Sequence, residues 1–164
     1  MKPDQSGIVS LTCDRTGLFA RSIASIAEQL AQFGHTKPIA VFDDSQQLNV
    51  RDEKRRITNE LHERHGLDAV YTGLEEKKSL LSILNESLPP EFGESLSCLF
   101  FGNQDLTYIK GAGGNRNSVL SAFAGKHFIS FDDDVMVKPC TLNGSSIDIR
   151  MVQGEPIPDV GFFS

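Results

Sequence analysis

The sequence predicts an α/β domain: a mainly parallel sheet with helices on both faces. Three observations carry that prediction. Short apolar runs of strand type alternate along the chain with stretches of helical periodicity. Each of the clearest runs stops at a polar turn, and glycine or proline punctuates the joins. Strands that alternate with helices imply right-handed crossovers, and ligands of such sheets gather at the carboxyl ends of the strands.

The first element is Ile8-Val9-Ser10-Leu11, a short apolar run ending at Thr12-Cys13-Asp14-Arg15, the profile of a buried strand. A helix follows, because Phe19, Ile23, Ile26, Leu30 and Phe33 recur at spacings of four, three, four and three, and Gly34 stands where a left-handed cap belongs. Pro38 bars helix continuation, and Ile39-Ala40-Val41-Phe42 reads as a second buried strand capped by Asp43-Asp44-Ser45. Residues 50–65 are charged around Val50, Ile57 and Leu61. They predict a surface helix ended by Gly66, with Lys54-Arg55-Arg56 on its solvated face.

Asp68-Ala69-Val70-Tyr71 reads as a third strand, and residues 75–88 as a helix stopped by Pro89-Pro90. For Leu99-Phe100-Phe101, periodicity does not separate a strand from a buried loop. Residues 106–110 are strand-like. Gly111-Ala112-Gly113-Gly114 then leads into a helix with Val119, Leu120 and Phe123 on its buried side and Gly125 as its stop. His127-Phe128-Ile129-Ser130-Phe131 is the last clear strand and runs into three aspartates; residues 147–152 alternate like a half-buried strand.

The chain has 164 residues, 39% of them apolar and 23% charged, which fits one ordinary domain, 1–164, with 139–164 as a poorly assigned tail. The net charge is −6, with no basic block beyond residues 54–56, which argues against nucleic acid as the main partner. Cys13, Cys98 and Cys140 cannot all pair and form no CxxC spacing, so neither a disulfide framework nor a structural zinc is expected. With no transmembrane stretch and no secretory leader in the sequence, the expected location is cytoplasmic.

Thr12 to Arg15, Asp43-Asp44 and Asp132 to Asp134 all fall just after predicted strands, so three polar strand ends converge on one crevice. Adjacent unit charges about 4 Å apart repel by roughly 1 kcal/mol in water and about 4 kcal/mol at an effective dielectric near 20, so clustered carboxylates call for a cation. Alternation along a strand lets Asp132 and Asp134 address one site while Asp133 points elsewhere. Oxygen-only donors suit Mg²⁺ or Mn²⁺, completed by water or phosphate oxygens. The glycines at 111, 113 and 114 invite comparison with the dinucleotide fingerprint, but Arg116 occupies the third glycine position and argues against it. The histidines have no nucleophile in a known elbow motif, and Cys13 reads as a small half-buried thiol rather than a reactive one.

Four pieces, in matching order and spacing over residues 8–138, resemble the large inverting nucleotide-sugar glycosyltransferase family with the GT-A fold. Ile8 to Arg15 resembles its opening strand and turn, and Ala40 to Ser45 its second strand with the acidic turn that holds the nucleobase. Gly114-Asn115-Arg116-Asn117-Ser118 through Ala124-Gly125-Lys126 resembles its Arg-Asn helix and exit, and Phe128 to Asp134 its DxD strand. The resemblance implies a nucleoside-diphosphate sugar donor, with Thr12 and Asp44 near the base, Arg15 and Arg116 near base or phosphates, Asp132 near ribose, and Asp132 and Asp134 toward a Mn²⁺ or Mg²⁺ ion. The acceptor and the catalytic base stay unassigned. The sequence departs from the family in having Thr16-Gly17 where proline is common and in stopping thirty residues after Asp134, where Asp148, Glu155 and Asp159 are the carboxylates left.

On that reading the chain is the donor-binding half of a metal-dependent glycosyltransferase and is truncated, and an uncovered sheet edge makes self-association the expectation. The alternatives are a nucleotide-binding or interaction module without transfer activity, and a Mg²⁺-dependent phosphotransfer enzyme with an aspartate nucleophile. Val135-Met136-Val137 stands where the last of these usually places threonine.

Overall fold

The computed structural model describes residues 6–101 and 112–137. Four strands, β1 (Gly7–Thr12), β2 (Ile39–Asp43), β3 (Ala69–Thr72) and β4 (Phe128–Asp132), form a parallel sheet in the order β3-β2-β1-β4. The helices are α1 (Thr16–Gln32), α2 (Leu48–His65), α3 (Leu74–Ser87), α4 (Gly93–Phe101) and α5 (Ala112–Ala122), with a single 3₁₀ turn at Pro90–Phe92. The chain steps outward from β1 to β3 and then returns to the opposite side of β1 for β4. That reversal makes the carboxyl ends of β1 and β4 the switch point at which open α/β sheets bind ligands.

Strand alternation divides the core between the two faces of the sheet. Ile39 and Val41 pack with Phe19, Ile23, Ile26 and Leu30 of α1 and Leu61 of α2, while Val9 and Phe42 pack with Val119 of α5 on the other face. The predicted helix stops hold: Gly34 and Gly66 adopt φ of 67° and 63°, the left-handed conformation that closes α1 and α2. None of the described helices is long and apolar enough to cross a membrane.

Four expectations are corrected. Residues 99–101 are neither strand nor loop but the end of α4, whose Phe100 alone is buried. The helix starts after Pro89-Pro90 and packs on α5 so closely that a Cβ at Gly114 would collide with the Phe100 carbonyl. The glycines at 113 and 114 therefore lie inside the first turn of α5, the second serving helix contact. Leu120 is 60% exposed rather than buried, because α5 turns Asn115, Ser118 and Val119 inward, positions i, i+3 and i+4 of one face. Phe33, at the end of the α1 stripe, is exposed as well.

The fourth correction concerns residues 54–56. Lys54 is fully buried, Arg55 crosses to Glu76 of α3 at 2.6 Å and stacks over the Tyr71 ring, and Arg56 alone pairs on its own exposed face, with Glu53 and Glu60. Residues 106–110, Gly111, Cys140, the segment 147–152 and the tail 139–164 with Asp148, Glu155 and Asp159 lie outside the described residues.

Candidate functional site

The carboxyl ends of β1, β2 and β4 are tied together by a buried polar network. Lys54 Nζ, reaching up from α2, donates to Thr12 Oγ1 (2.8 Å), Asp43 Oδ1 (3.0 Å) and Ser45 Oγ (2.8 Å). Asp43 also accepts from the Ser45 hydroxyl at 2.6 Å and, through Oδ2, from the Tyr71 hydroxyl at 2.6 Å. Burial first, and the bond to Asp43 second, push the Tyr71 phenol well above its ordinary range, so it stays a donor. An ammonium and a carboxylate taken out of water cost several kcal/mol each unless every partner is supplied, and here the partners are supplied.

Register extends this network to β4. Leu11 pairs with Asp132, which sets Asp133 level with Thr12, and the Thr12 hydroxyl donates to Asp133 Oδ2 at 2.9 Å. Arg15 closes on the other side, its Nη2 at 2.5 Å from Asp133 Oδ1 and its Nη1 at 3.3 Å from Asp134 Oδ2. Asp14, at φ 55°, turns the chain sharply between β1 and α1, and its N–H donates to Ser45 Oγ at 2.8 Å.

The second acidic residue of the β2 turn has a different neighbourhood. Lys77 of α3 pairs with Asp44 Oδ1 and donates to Asn115 Oδ1 at 2.8 Å; the Asn115 amide in turn donates to the Phe42 carbonyl at 2.8 Å. Asp44 Oδ2 is buried and has no hydrogen-bond partner among the described residues. Burial pushes the Asp44 carboxyl up, and the Lys77 charge opposes that rise.

Above these groups lies a cleft of about 210 Å³. Thr12, Arg15, Asp44, Arg116 and Asp132, five of the residues singled out in the sequence, line it together with Asn115 and Asp133. Asp134 is not in its wall; it stands half-exposed at the rim beside Arg15. The cause is local: the Val135 N–H bonds back to the Asp132 carbonyl at 3.2 Å, so the chain turns after Asp132 and strand alternation ends there. Asp133, assigned by alternation to the far side, faces the cleft instead. Among the described residues no group of three or more His, Cys, Asp or Glu side chains could hold a metal ion.

An apolar groove of about 440 Å³ shares Leu11, Arg116 and Asp132 with the cleft and continues along Val119, Phe128 and Val135. Cys13 is half-buried at the cleft wall, and burial followed by the Asp14 charge pushes its thiol up to about 11, which keeps it protonated and poorly nucleophilic at neutral pH.

Sequence reasoning missed Lys54, Lys77, Asn115 and the inward role of Asp133. Position held a signal for the two lysines: Lys54 falls on the stripe 50, 54, 57, 61, and Lys77 on the stripe 74, 77, 81, 84.

Compared with known proteins, the chain matches no family model, no curated protein and no solved structure. Its class therefore rests on its own geometry: an α/β protein with a four-stranded parallel sheet and a polar cleft at the switch point of that sheet.

Proposed function

We propose that this cleft binds the nucleoside-diphosphate part of a sugar donor, and that the chain is the donor-binding portion of a GT-A-type glycosyltransferase. The observation that carries the reading is Asp44 Oδ2, a buried acceptor without a partner in the wall of a cleft that also holds two arginines. A buried, unsatisfied carboxylate oxygen is costly, and a ligand N–H relieves it. Arg116 and Arg15 supply donors suited to phosphate oxygens, and Asp132 is an acceptor for ribose hydroxyls.

The reading includes a divalent cation of the kind that keeps water and phosphate oxygens in its shell, because the described residues by themselves supply no cluster of three ligands. Of the three successive carboxylates Asp132 to Asp134, Asp133 and Asp134 share the Arg15 guanidinium, and all three offer only oxygen donors. Asp132 and Asp134 are the residues that would hold it: Asp133 is buried and held by both Thr12 and Arg15, whereas Asp134 meets Arg15 alone, at 3.3 Å and half-exposed. Bound there, Mn²⁺ or Mg²⁺ would supply the countercharge that a nucleoside-diphosphate leaving group needs. The protein's own part is to orient the donor: Asp44 against the base, Arg15 and Arg116 against the diphosphate.

The expected result is that nucleoside diphosphates raise the melting temperature in the presence of Mn²⁺ or Mg²⁺ and not in excess chelator, since stabilisation follows ligand affinity. Asp134→Asn should abolish that cation dependence without unfolding the chain, because the residue stands half-exposed. Equal stabilisation with and without the cation would refute the metal part. No stabilisation by any nucleoside diphosphate would refute the whole reading.

A further inference from the structure

The one side chain that α3 buries is a lysine, Lys77, at 1% exposure. A buried ammonium is tolerated where it is paired, and Lys77 pairs with Asp44 Oδ1 at the end of β2 while donating to Asn115 Oδ1 in α5. The Asn115 amide is fixed in turn by the Phe42 carbonyl, so the lysine is held from two sides. The outcome is a divided carboxylate: one oxygen of Asp44 is taken by Lys77, and the other, also buried, has no partner among the described residues in a side chain that lines the cleft.

We propose that Lys77 is a positioning residue for base recognition: it holds Asp44 as an ionised acceptor with one free oxygen, so that the cleft selects a base presenting a ring N–H over one presenting a bare ring nitrogen. This rests on the nucleotide reading of the cleft. Uracil offers a ring N–H to a carboxylate oxygen, whereas cytosine presents a ring lone pair at the same position, which repels it. Without the lysine, a buried carboxylate takes up a proton, and a protonated carboxyl can donate to the cytosine nitrogen.

The charged groups around Asp44 are Lys77 from α3, Asp43 on its own turn, and, across the cleft, Arg15, Arg116, Asp132 and Asp133. The Cys13 thiol there is neutral at pH 7. Lys77 is the only one of the cations shown in contact with Asp44 among the described residues, so its removal falls on Asp44 more than on the rest.

The experiment compares UDP and CDP binding by calorimetry at pH 7 in saturating Mg²⁺ for the full chain, Lys77→Met and Lys77→Arg. The shared diphosphate makes the ratio of affinities a report on the base alone. The wild type is expected to prefer UDP by about tenfold or more, the scale of one unsatisfied polar contact. Lys77→Met should bring the two affinities within about threefold, and Lys77→Arg should restore the preference, because the charge is what matters. A folded Lys77→Met that keeps the wild-type ratio overturns the proposal, as does an arginine variant that behaves like the methionine one.

Should Lys77→Met fail to fold, Lys77→Gln, which keeps a donor without the charge, is read in the same way: a lost preference supports the proposal and a kept one overturns it. A wild type that binds both nucleotides equally overturns this inference alone. A wild type that binds neither overturns the nucleotide reading as well.

Discussion

Lys54→Met should destabilise the protein by about 3–5 kcal/mol, the cost of removing one partner from a buried ion pair. Lys54 is fully buried and its ammonium serves Thr12, Asp43 and Ser45 at once. Methionine fills the volume but leaves the Asp43 carboxylate uncompensated between the Tyr71 hydroxyl and the Ser45 hydroxyl. Equilibrium urea unfolding measures the effect as a lowered midpoint with an unchanged slope. Arg56→Ala, two residues away and paired only on the exposed face of α2, should leave the midpoint where it is. A Lys54→Met midpoint close to that of the wild type would mean that the polar network is not what joins the strand ends.

Asp44→Ala should weaken nucleoside-diphosphate binding by about 1–3 kcal/mol, a roughly tenfold to hundredfold rise in Kd. The argument is that its free oxygen is the acceptor for the base, so the variant leaves a ligand N–H unsatisfied in a buried position. Asp43→Ala is no neutral comparison, although the two residues are adjacent. Asp43 is fully buried and holds Lys54, Ser45 and Tyr71, so its removal acts on stability first. The better comparison is Asp68→Ala, an exposed residue before β3, at the opposite end of the sheet, which should bind as the wild type does. Unchanged nucleotide affinity in Asp44→Ala would remove the base-reading role.

The fold was legible wherever hydrophobic period and punctuation agreed. Val9, Val41 and Phe42 announced strands, Phe19 to Leu30 a helix stripe, and Gly34 and Gly66 the stops. Leu99-Phe100-Phe101 was not legible, because a short apolar run has no period long enough to separate helix from strand. Its helical state comes from packing on α5, a contact far along the chain.

In the site, position was legible and orientation was not. Strand ends located Thr12, Arg15, Asp44 and Asp132 in one cleft, a consequence of topology. The direction of Asp133 and Asp134 depended on where β4 ends, and the turn at residues 132–135 ends it at Asp132, two residues short of what alternation through Asp134 needs. Lys54 was misread because charge was taken as a sign of exposure, and Lys77 was passed over within its helix. Lys54 and Lys77 sit at inward helix positions, and only the three-dimensional placement of Asp43 and Asp44 shows what they neutralise. Asn115 was quoted within its motif, but its bridge to the Phe42 carbonyl needs the arrangement of α5 under the strand ends.

The most direct test of the central claim is a titration of the ¹⁵N-labelled protein with UDP in the presence of Mg²⁺, followed through backbone amide shifts. A nucleoside diphosphate bound in the cleft should move the amides of residues 12–15, 44–46, 115–117 and 131–134 together, on one binding curve, and leave the amino ends of the strands, including Asp68, in place. No shift at saturating nucleotide, or shifts confined to the outer faces of α2 and α3 while Thr12, Asp44 and Asp132 stay unchanged, would contradict the assignment of this cleft as the nucleotide site.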